Sequence, residues 1–338
     1  MKRALIIIPL LLALVAGGLF LLWPRGPKGL VLYSAVDYGP VMAAAYTKAT
    51  GIPVSVVQLS TGTLLARVSA EGRRPDWSMV WFDGDLAADA LDQAGLLARH
   101  TAPALPWTKL GRSLLPADGA YVPTGMTLAG VFTWRAGSGL VPPKTWNDLL
   151  APRYKNAVGM NNPAISGPMY PQLAGMLAQG GGWPAGKAYV LGLKDNGLKI
   201  YAKNANTMAA LQQGHIRLAM IQSSHAYYVA RTDPALKVTV PEPAFALPSV
   251  IGLSPRLSPK ARAQALGFMR FVMSPAGQKL RMTEGEEDGY YWPLTRGVSA
   301  LPGLPPLSSL HVERLSPAKW GPREEVVNAW FSKMMFGQ

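Results

Sequence analysis

Cysteine is absent from all 338 residues. That removes disulfides, thiol nucleophiles, zinc–thiolate sites, iron–sulfur clusters and a lipid-modified cysteine together. Histidine is scarce: His100, His215, His225 and His311 are scattered, and no paired metal-binding histidines, nucleophile elbow or P-loop accompanies them. The triple glycine Gly180–Gly182 lacks the following lysine and hydroxyl of a phosphate loop and reads as a helix end. These absences argue against catalysis and against a resident cofactor. Acidic residues are also few, 19 against 33 basic ones, for a formal net charge of +14. Such a balance suits an anionic ligand, partner or envelope. The basic residues are spread along the chain without a zinc-finger or RNP-like pattern, so the charge reads as a solvated surface and not as a nucleic-acid footprint.

The longest uncharged apolar run lies at the start. Lys2 and Arg3 precede a stretch from Ala4 to Trp23, followed by Arg25 and Lys28. This is the pattern of a secretory leader or a single membrane anchor over residues 4–23, so the remainder is expected to lie outside the cytoplasm, with fold reasoning starting near Gly29. The small residues Ala16, Gly17 and Gly18 offer a cleavage site, but the apolar run continues after them to Trp23, which tilts the reading toward an uncleaved anchor.

The chain length suits two lobes, each able to bury its own core. Strand-like runs at Leu30–Ser34, Pro53–Val57 and Ser78–Phe82 alternate with helical stretches at Gly39–Ala49 and Thr63–Glu71. That alternation predicts βαβ units and a parallel sheet, with ligands beyond the carboxyl ends of its strands. The theme returns at Thr127–Trp134, Ala157–Met160, a helix around Pro171–Gln179, Gly197–Ala202 and Ile216–Ile221. After Ser258 a capped helix opens at Pro259, with Ala261, Ala265, Phe268, Met269 and Val272 on one stripe. The tail reads as a wrapping loop over Pro302–Pro322 and a terminal amphipathic helix near Val326–Met335. The acidic run Glu284, Glu286, Glu287 and Asp288 reads as a solvated loop, with docking to a basic patch on a permease as its rival role.

Two hydroxyl-and-glycine stretches stand where helices begin: Ser60, Thr61, Gly62 and Thr63, and Ile165, Ser166 and Gly167. A helix N-terminus leaves amide hydrogens unpaired and carries partial positive charge, so an oxyanion satisfies both. Simple N-capping uses the same residue types. One such stretch on each lobe favours anion binding. Asp37, and Asp83 with Asp85, stand after strands where either helix capping or ligand contact would place them.

The pieces LVLYSAVDYGP, TKATGIPVSVV, STGTLLARVSAEG, VWFDGD, LDQAGLL, TWNDLLAPRYK, NNPAISGPMY, YVLGLKDNGLKIYAKNANT, LQQGHIRLAM and FVMSPAGQKL, in this order over residues 29–300, resemble the type 1 extracellular solute-binding proteins of ABC importers. The likeness is to the ferric-iron and phosphonate or organophosphate subgroup. It implies an α/β, two-lobe periplasmic binding protein fold of type II, with a hinge and an interlobe ligand cleft after the apolar leader. The expected division is 1–28 leader or anchor, 29–125 with 250–298 as the first lobe, and 126–249 with 299–338 as the second. The implied role is a monomer without catalysis that delivers a small anionic solute to an ABC permease.

The resemblance also implies site residues. In iron-binding relatives a histidine, a glutamate and two consecutive tyrosines hold the metal. Asp37 and Asp83 fall at the first two positions, and Ser224 and His225 fall where the tyrosines should be, with Tyr227 and Tyr228 three residues late. Ser166 and Gly167 match the loop that holds a companion phosphate, Asn204 matches a side-chain donor, and Gln222 stands in for another. The stretch Ser60–Thr63 resembles phosphonate-binding relatives, and His225 with Glu242 resembles the pair that holds sugar hydroxyls in sugar-phosphate binders. The favoured ligand is thus a phosphonate, phosphate ester or sugar phosphate. Ferric iron on Asp37, Asp83, Tyr227 and Tyr228 is the alternative, and a membrane-tethered sensor is a third reading.

Overall fold

The structure is a computed structural model describing residues 29–337, so the apolar stretch 4–23 lies outside the described residues. Eleven strands are described: β1 Leu30–Ser34, β2 Val54–Gln58, β3 Met79–Asp83, β4 Tyr121–Leu128, β5 Val131–Arg135, β6 Val158–Asn161, β7 Lys199–Tyr201, β8 Leu218–Ile221, β9 Leu236–Thr239, β10 Ala244–Leu253 and β11 Val312–Glu313. They form two sheets. One has the order β11-β10-β3-β1-β2 with β4 added on β10, and the other runs β7-β6-β8-β5-β9. Within the first, β1 is parallel to both neighbours; within the second, β6 is parallel to β7 and β8. Of the parallel strands, β1, β3, β6 and β8 are short, apolar and mostly buried, as expected for strands covered on both faces by crossover helices, while the edge strands β2 and β7 are half-buried or exposed.

Two long strands join the sheets. β4 leads from the first sheet to β5 of the second, and β10 brings the chain back from β9; the two pair antiparallel from Ala246↔Leu128 to Gly252↔Tyr121. Both are buried along their whole length. A register shift between Ser249 and Val250 marks where β10 begins to pair β3. A two-stranded link of this kind lets two rigid bodies change their angle by small backbone adjustments.

The link is also where the sequence pattern misleads. Thr127–Trp134 reads as one strand, but the chain turns at Ala129–Gly130, and Thr127–Leu128 belong to β4. Pro123 and Gly125 in β4, and Pro248 in β10, are residues that ordinarily argue against a strand. Here Gly125 lies against the Tyr291 ring, where a Cβ would collide with the ring carbons, so the position needs its bare backbone.

The helix after β2 starts at Thr61 instead of Thr63, with Ser60 as its N-cap accepting from the Thr63 amide. Ser258 caps the helix Pro259–Met273 as expected, and Ala265, Phe268, Met269 and Val272 are buried on its inner stripe, while Ala261 is half-buried. The tail wraps. Leu304, Leu307 and Leu310 pack on the core cluster that contains β1 and β10 residues. Trp320, Val327 and Phe331 join the core of the second sheet. Among the described residues no helix is long and apolar enough to cross a membrane.

Candidate functional site

The carboxyl ends of β1, β2 and β3 face those of β6, β7 and β8 across a cavity of about 430 Å³. The loops that follow these strands supply its walls: Asp37 after β1, Ser60 and Thr61 after β2, Asp83 at the end of β3, Ser166 and Gly167 after β6, Lys203 and Asn204 after β7, and Gln222 after β8. The arrangement is what parallel sheets dictate for a ligand site. The two hydroxyl-and-glycine loops meet at the rim. A Cβ on Gly62 would sit 2.8 Å from the Ala164 carbonyl oxygen, and one on Gly167 would overlap the Thr61 side chain. The lobes are therefore shut, and glycine is what allows them to shut this far.

One end of the cavity presents hydrogen-bond donors. Asn161, completely buried at the end of β6, donates from Nδ2 to Ser166 Oγ at 3.1 Å and to Asn204 Oδ1 at 2.6 Å. Thr207 Oγ1 donates to Asn161 Oδ1 at 2.5 Å, fixing the amide orientation. Because Asn161 occupies an acceptor site on each neighbour, the Ser166 hydroxyl hydrogen and the Asn204 amide hydrogens remain for the cavity. Lys203 adds a cation beside them. The set suits an oxyanion.

The other end presents acceptors. Asp83, 6% exposed, accepts from Gln222 Nε2 at 2.8 Å and from the Ser249 hydroxyl. Gln222 Nε2 also donates to Thr127 Oγ1 at 3.2 Å, so its carbonyl oxygen is the part left for a ligand. This corrects the expectation that Gln222 acts as a donor. Asp288 Oδ2 accepts the Asp37 amide at 2.8 Å, bringing two further carboxylates together, and Glu287 lines the same wall. Desolvation holds the carboxyl of Asp83 above the ordinary range despite its hydrogen bonds. Partial desolvation, then repulsion from Glu287, Glu286 and Asp83, does the same for Asp37. Desolvation with repulsion from Asp83 and Asp37 raises Asp288 further. Behind the wall lies Arg281, fully buried, donating to the Thr124 carbonyl at 2.7 Å, with the rings of Tyr38, Tyr291 and Trp81 at 4.4, 4.3 and 5.2 Å from its guanidinium carbon.

Several expectations are overturned. Of the two readings left open for Asp37 and Asp83, helix capping is the one that fails: the cap positions are Tyr38 and Gly84, without side-chain cap bonds. Of the Ser60–Thr63 stretch, Ser60 and Thr61 line the cavity as expected, but Thr63 is turned to Ser60 in the N-cap and Gly62 faces the rim rather than the cavity. Ser224 Oγ is buried without a partner and does not line the cavity. His225 and Glu242 do not pair. His225, 3% exposed, bonds Glu287 through Nδ1, whereas Glu242, with its side chain 72% exposed, stands near His311. Tyr227 turns to a separate pocket lined by Val238, Val240 and Leu304, and Tyr228 packs edge-on against Tyr290. Burial pushes the Tyr227 phenol up to about 12, the opposite of what a phenolate ligand needs. The acidic run is not merely a solvated loop, since Glu287 and Asp288 line the cavity.

Sequence reasoning missed Asn161, Lys203, Glu287 and Asp288. Asn161 and Lys203 follow from strand ends and could have been found by extending β6 and β7 by one or two residues. Glu287 and Asp288 enter from sequence-distant chain, in a 3-10 turn over Glu286–Gly289, and no local pattern announces that return.

Residues 41–306 match the family model described as bacterial extracellular solute-binding protein. The major ferric iron-binding protein of Neisseria meningitidis serogroup B is 25% identical over 282 residues, covering 81% of this chain and 83% of that protein. The crystal structure of iron-bound HitA from Pseudomonas aeruginosa superposes with a TM-score of 0.75 at 22% identity, covering 90% of this chain and 99% of that one. The periplasmic binding protein AfuA from Actinobacillus pleuropneumoniae, with fructose-6-phosphate bound, gives 0.76 at 17% identity, covering 91% and 99%.

Proposed function

Because the chain belongs to the bacterial extracellular solute-binding proteins, which carry solutes for import and perform no covalent chemistry on them, we propose that it captures a small phosphate ester, phosphonate or sugar phosphate for an ABC permease. The supporting observation is the polarity of the Asn161 bonds. They commit acceptor sites on Ser166 and Asn204 and leave donors, with Lys203, for an anionic head. The Thr61 and Gly167 backbone segments close the rim around it. In this reading residues 29–125 and 250–298 form one lobe, residues 126–249 and 299–338 the other, and β4 and β10 the hinge. Contacts from both lobes to one ligand then favour the shut state. The mature chain works outside the cytoplasm, with residues 4–23 as leader or anchor.

A ferric-ion cargo has in its favour the name of the Neisseria relative and the bound iron of the HitA structure. Here the phenols of Tyr227 and Tyr228 point elsewhere, leaving only Asp37 and Asp83 of that set at the cavity. Thermal unfolding against inorganic phosphate, alkyl phosphates, phosphonates, sugar phosphates and ferric citrate tests the reading. A true ligand at a hundred times its dissociation constant stabilises the folded state by about 2.7 kcal/mol. Stabilisation by ferric citrate alone would overturn it.

A further inference from the structure

The acceptor end of the cleft makes its own demand on the ligand. Its side chains are the carboxylates of Asp37, Asp83, Glu287 and Asp288 and the Gln222 amide, whose nitrogen is already committed to Asp83 and Thr127. None of these groups, once the carboxyls ionise, has a hydrogen to offer. Lys203, the one lysine or arginine among the described lining residues, adjoins Asn204 at the donor end. The basic side chains nearest the wall do not line the cavity: Arg281 lies sealed behind it among three rings, with Thr124 accepting one of its hydrogens and Nε and Nη2 left without a partner, and His225 is bonded to Glu287.

We propose that the solute is a zwitterion, its anionic group held at Ser166 and Asn204 and a protonated amine held by Asp37, Glu287 and Asp288 with the Gln222 carbonyl. This rests on the anion reading of the donor end. A hydroxylated tail would supply hydrogens but no charge, and the wall gathers carboxylates beyond what one guanidinium and one imidazole can balance. Desolvation raises Asp37, Asp83 and Asp288 in the empty protein, with carboxylate repulsion added at Asp37 and Asp288, so an arriving ammonium lets them ionise and releases protons. Glu286 adds to the repulsion on Asp37, and His225 works against it.

The test is calorimetry on the full chain in mild detergent, with phosphoethanolamine, ethyl phosphate and fructose 6-phosphate as probes. Phosphoethanolamine and ethyl phosphate share a head and differ by the ammonium. The expected preference for phosphoethanolamine is about tenfold or more, falling toward parity in Asp288→Asn. Its binding heat should vary with the ionisation enthalpy of the buffer, reporting proton release. If ethyl phosphate binds equally well, the anion reading stands and the zwitterion is overturned. Fructose 6-phosphate binding more tightly than phosphoethanolamine overturns it in favour of hydroxyl recognition. If no phosphate compound binds, the reading of the donor end fails and this inference falls with it. Should Asp288→Asn not fold, Asp37→Asn carries the same ratio.

Discussion

The two ends of one small cavity are built by opposite uses of the same kind of group. At the donor end a buried amide, Asn161, gives its hydrogens to Ser166 and Asn204, so these neighbours keep theirs for the ligand. At the acceptor end another buried amide, Gln222, gives its hydrogens to Asp83 and Thr127, so what reaches the cavity is oxygen. A primary amide has two donor hydrogens and a carbonyl with two lone pairs. Which half faces inward is decided by the partner behind it: a threonine hydroxyl for Asn161, a carboxylate for Gln222. Burial makes the choice firm, because a mispaired polar group away from water costs about 1–3 kcal/mol.

Breaking the donor end should have the largest effect. Asn161→Asp keeps the shape and still accepts from Thr207, but it has no hydrogen for Ser166 or Asn204. Both neighbours then turn their hydrogens toward the new carboxylate, which also repels the ligand. Hydrogen bonds to a charged group are worth about 1.5–3 kcal/mol each. Losing two corresponds to a drop of roughly 100-fold or more in affinity for ethyl phosphate. Calorimetry measures it, and an unchanged circular dichroism spectrum shows that the fold survives. Retained affinity would mean that the anion sits elsewhere.

Preventing the two ends from meeting should cost less, because one lobe still holds its part of the ligand. Gly62 is at the rim and outside the cavity lining, and its missing Cβ faces the Ala164 carbonyl oxygen at 2.8 Å. Gly62→Val puts three carbons into that gap. Affinity for phosphoethanolamine and ethyl phosphate should fall together, on the order of 10–100-fold. Small-angle scattering should show that ligand no longer compacts the protein. A selective loss of one ligand would instead indicate a local effect on one end.

The acceptor end can be isolated through pH. Asp288 has its folded-state value raised well above the ordinary 3.8. A raised carboxyl contributes its stability fully below the unfolded value, and that contribution is lost as pH rises through the folded value. The empty protein is thus penalised above that window, and Asp288→Asn removes the penalty. The variant, without ligand, should melt higher than the parent at pH 8 and no higher near pH 3.5, with a shift of about 2–4 °C for each kcal/mol relieved. The same substitution weakens ammonium recognition, so stability and selectivity move in opposite directions. Equal melting temperatures at pH 8 would mean that the carboxyl is not desolvated in solution.

Much of the donor end was legible, because strand, glycine–hydroxyl loop and helix follow one another locally, and the parallel part of each sheet follows from the alternation of apolar runs, whereas the antiparallel additions of β4, β5, β9 and β10 do not. What is contributed through packing was not. Asn161 reads as an ordinary strand residue until Ser166, Asn204 and Thr207 converge on it. The hinge strands carry Pro123, Gly125 and Pro248, which hide them from any periodicity. Asp288 reaches the cleft only because β10 returns the chain to the first sheet and the helices Pro259–Met273 and Pro275–Glu284 then lead it back. The pairing imagined for His225 and Glu242 failed for the same reason: both were placed by local resemblance, while the fold gives His225 to Glu287 and leaves Glu242 near His311.

The smallest expected effect falls on the residues that most resemble a metal clamp. Tyr227 and Tyr228 lie on the helix Ser223–Thr232, in whose first turn Ser223, Ser224 and His225 are buried. Three residues further along, the side chains stand about 4.5 Å farther down the helix axis, where Tyr227 meets Val238 and Leu304, and Tyr228 meets Tyr290. Bringing them to the cleft would require sliding the helix by three residues, about 4.5 Å along its axis, which the Ser223 hydroxyl opposes by accepting the Leu128 amide at 2.9 Å. The double change Tyr227→Phe and Tyr228→Phe should leave ligand affinity within about twofold, well under one hydrogen bond. It should also leave the visible spectrum unchanged when ferric citrate is added. A charge-transfer band in the parent that disappears in the double variant would show the helix turning its phenols inward around iron, and would make the cleft a metal site.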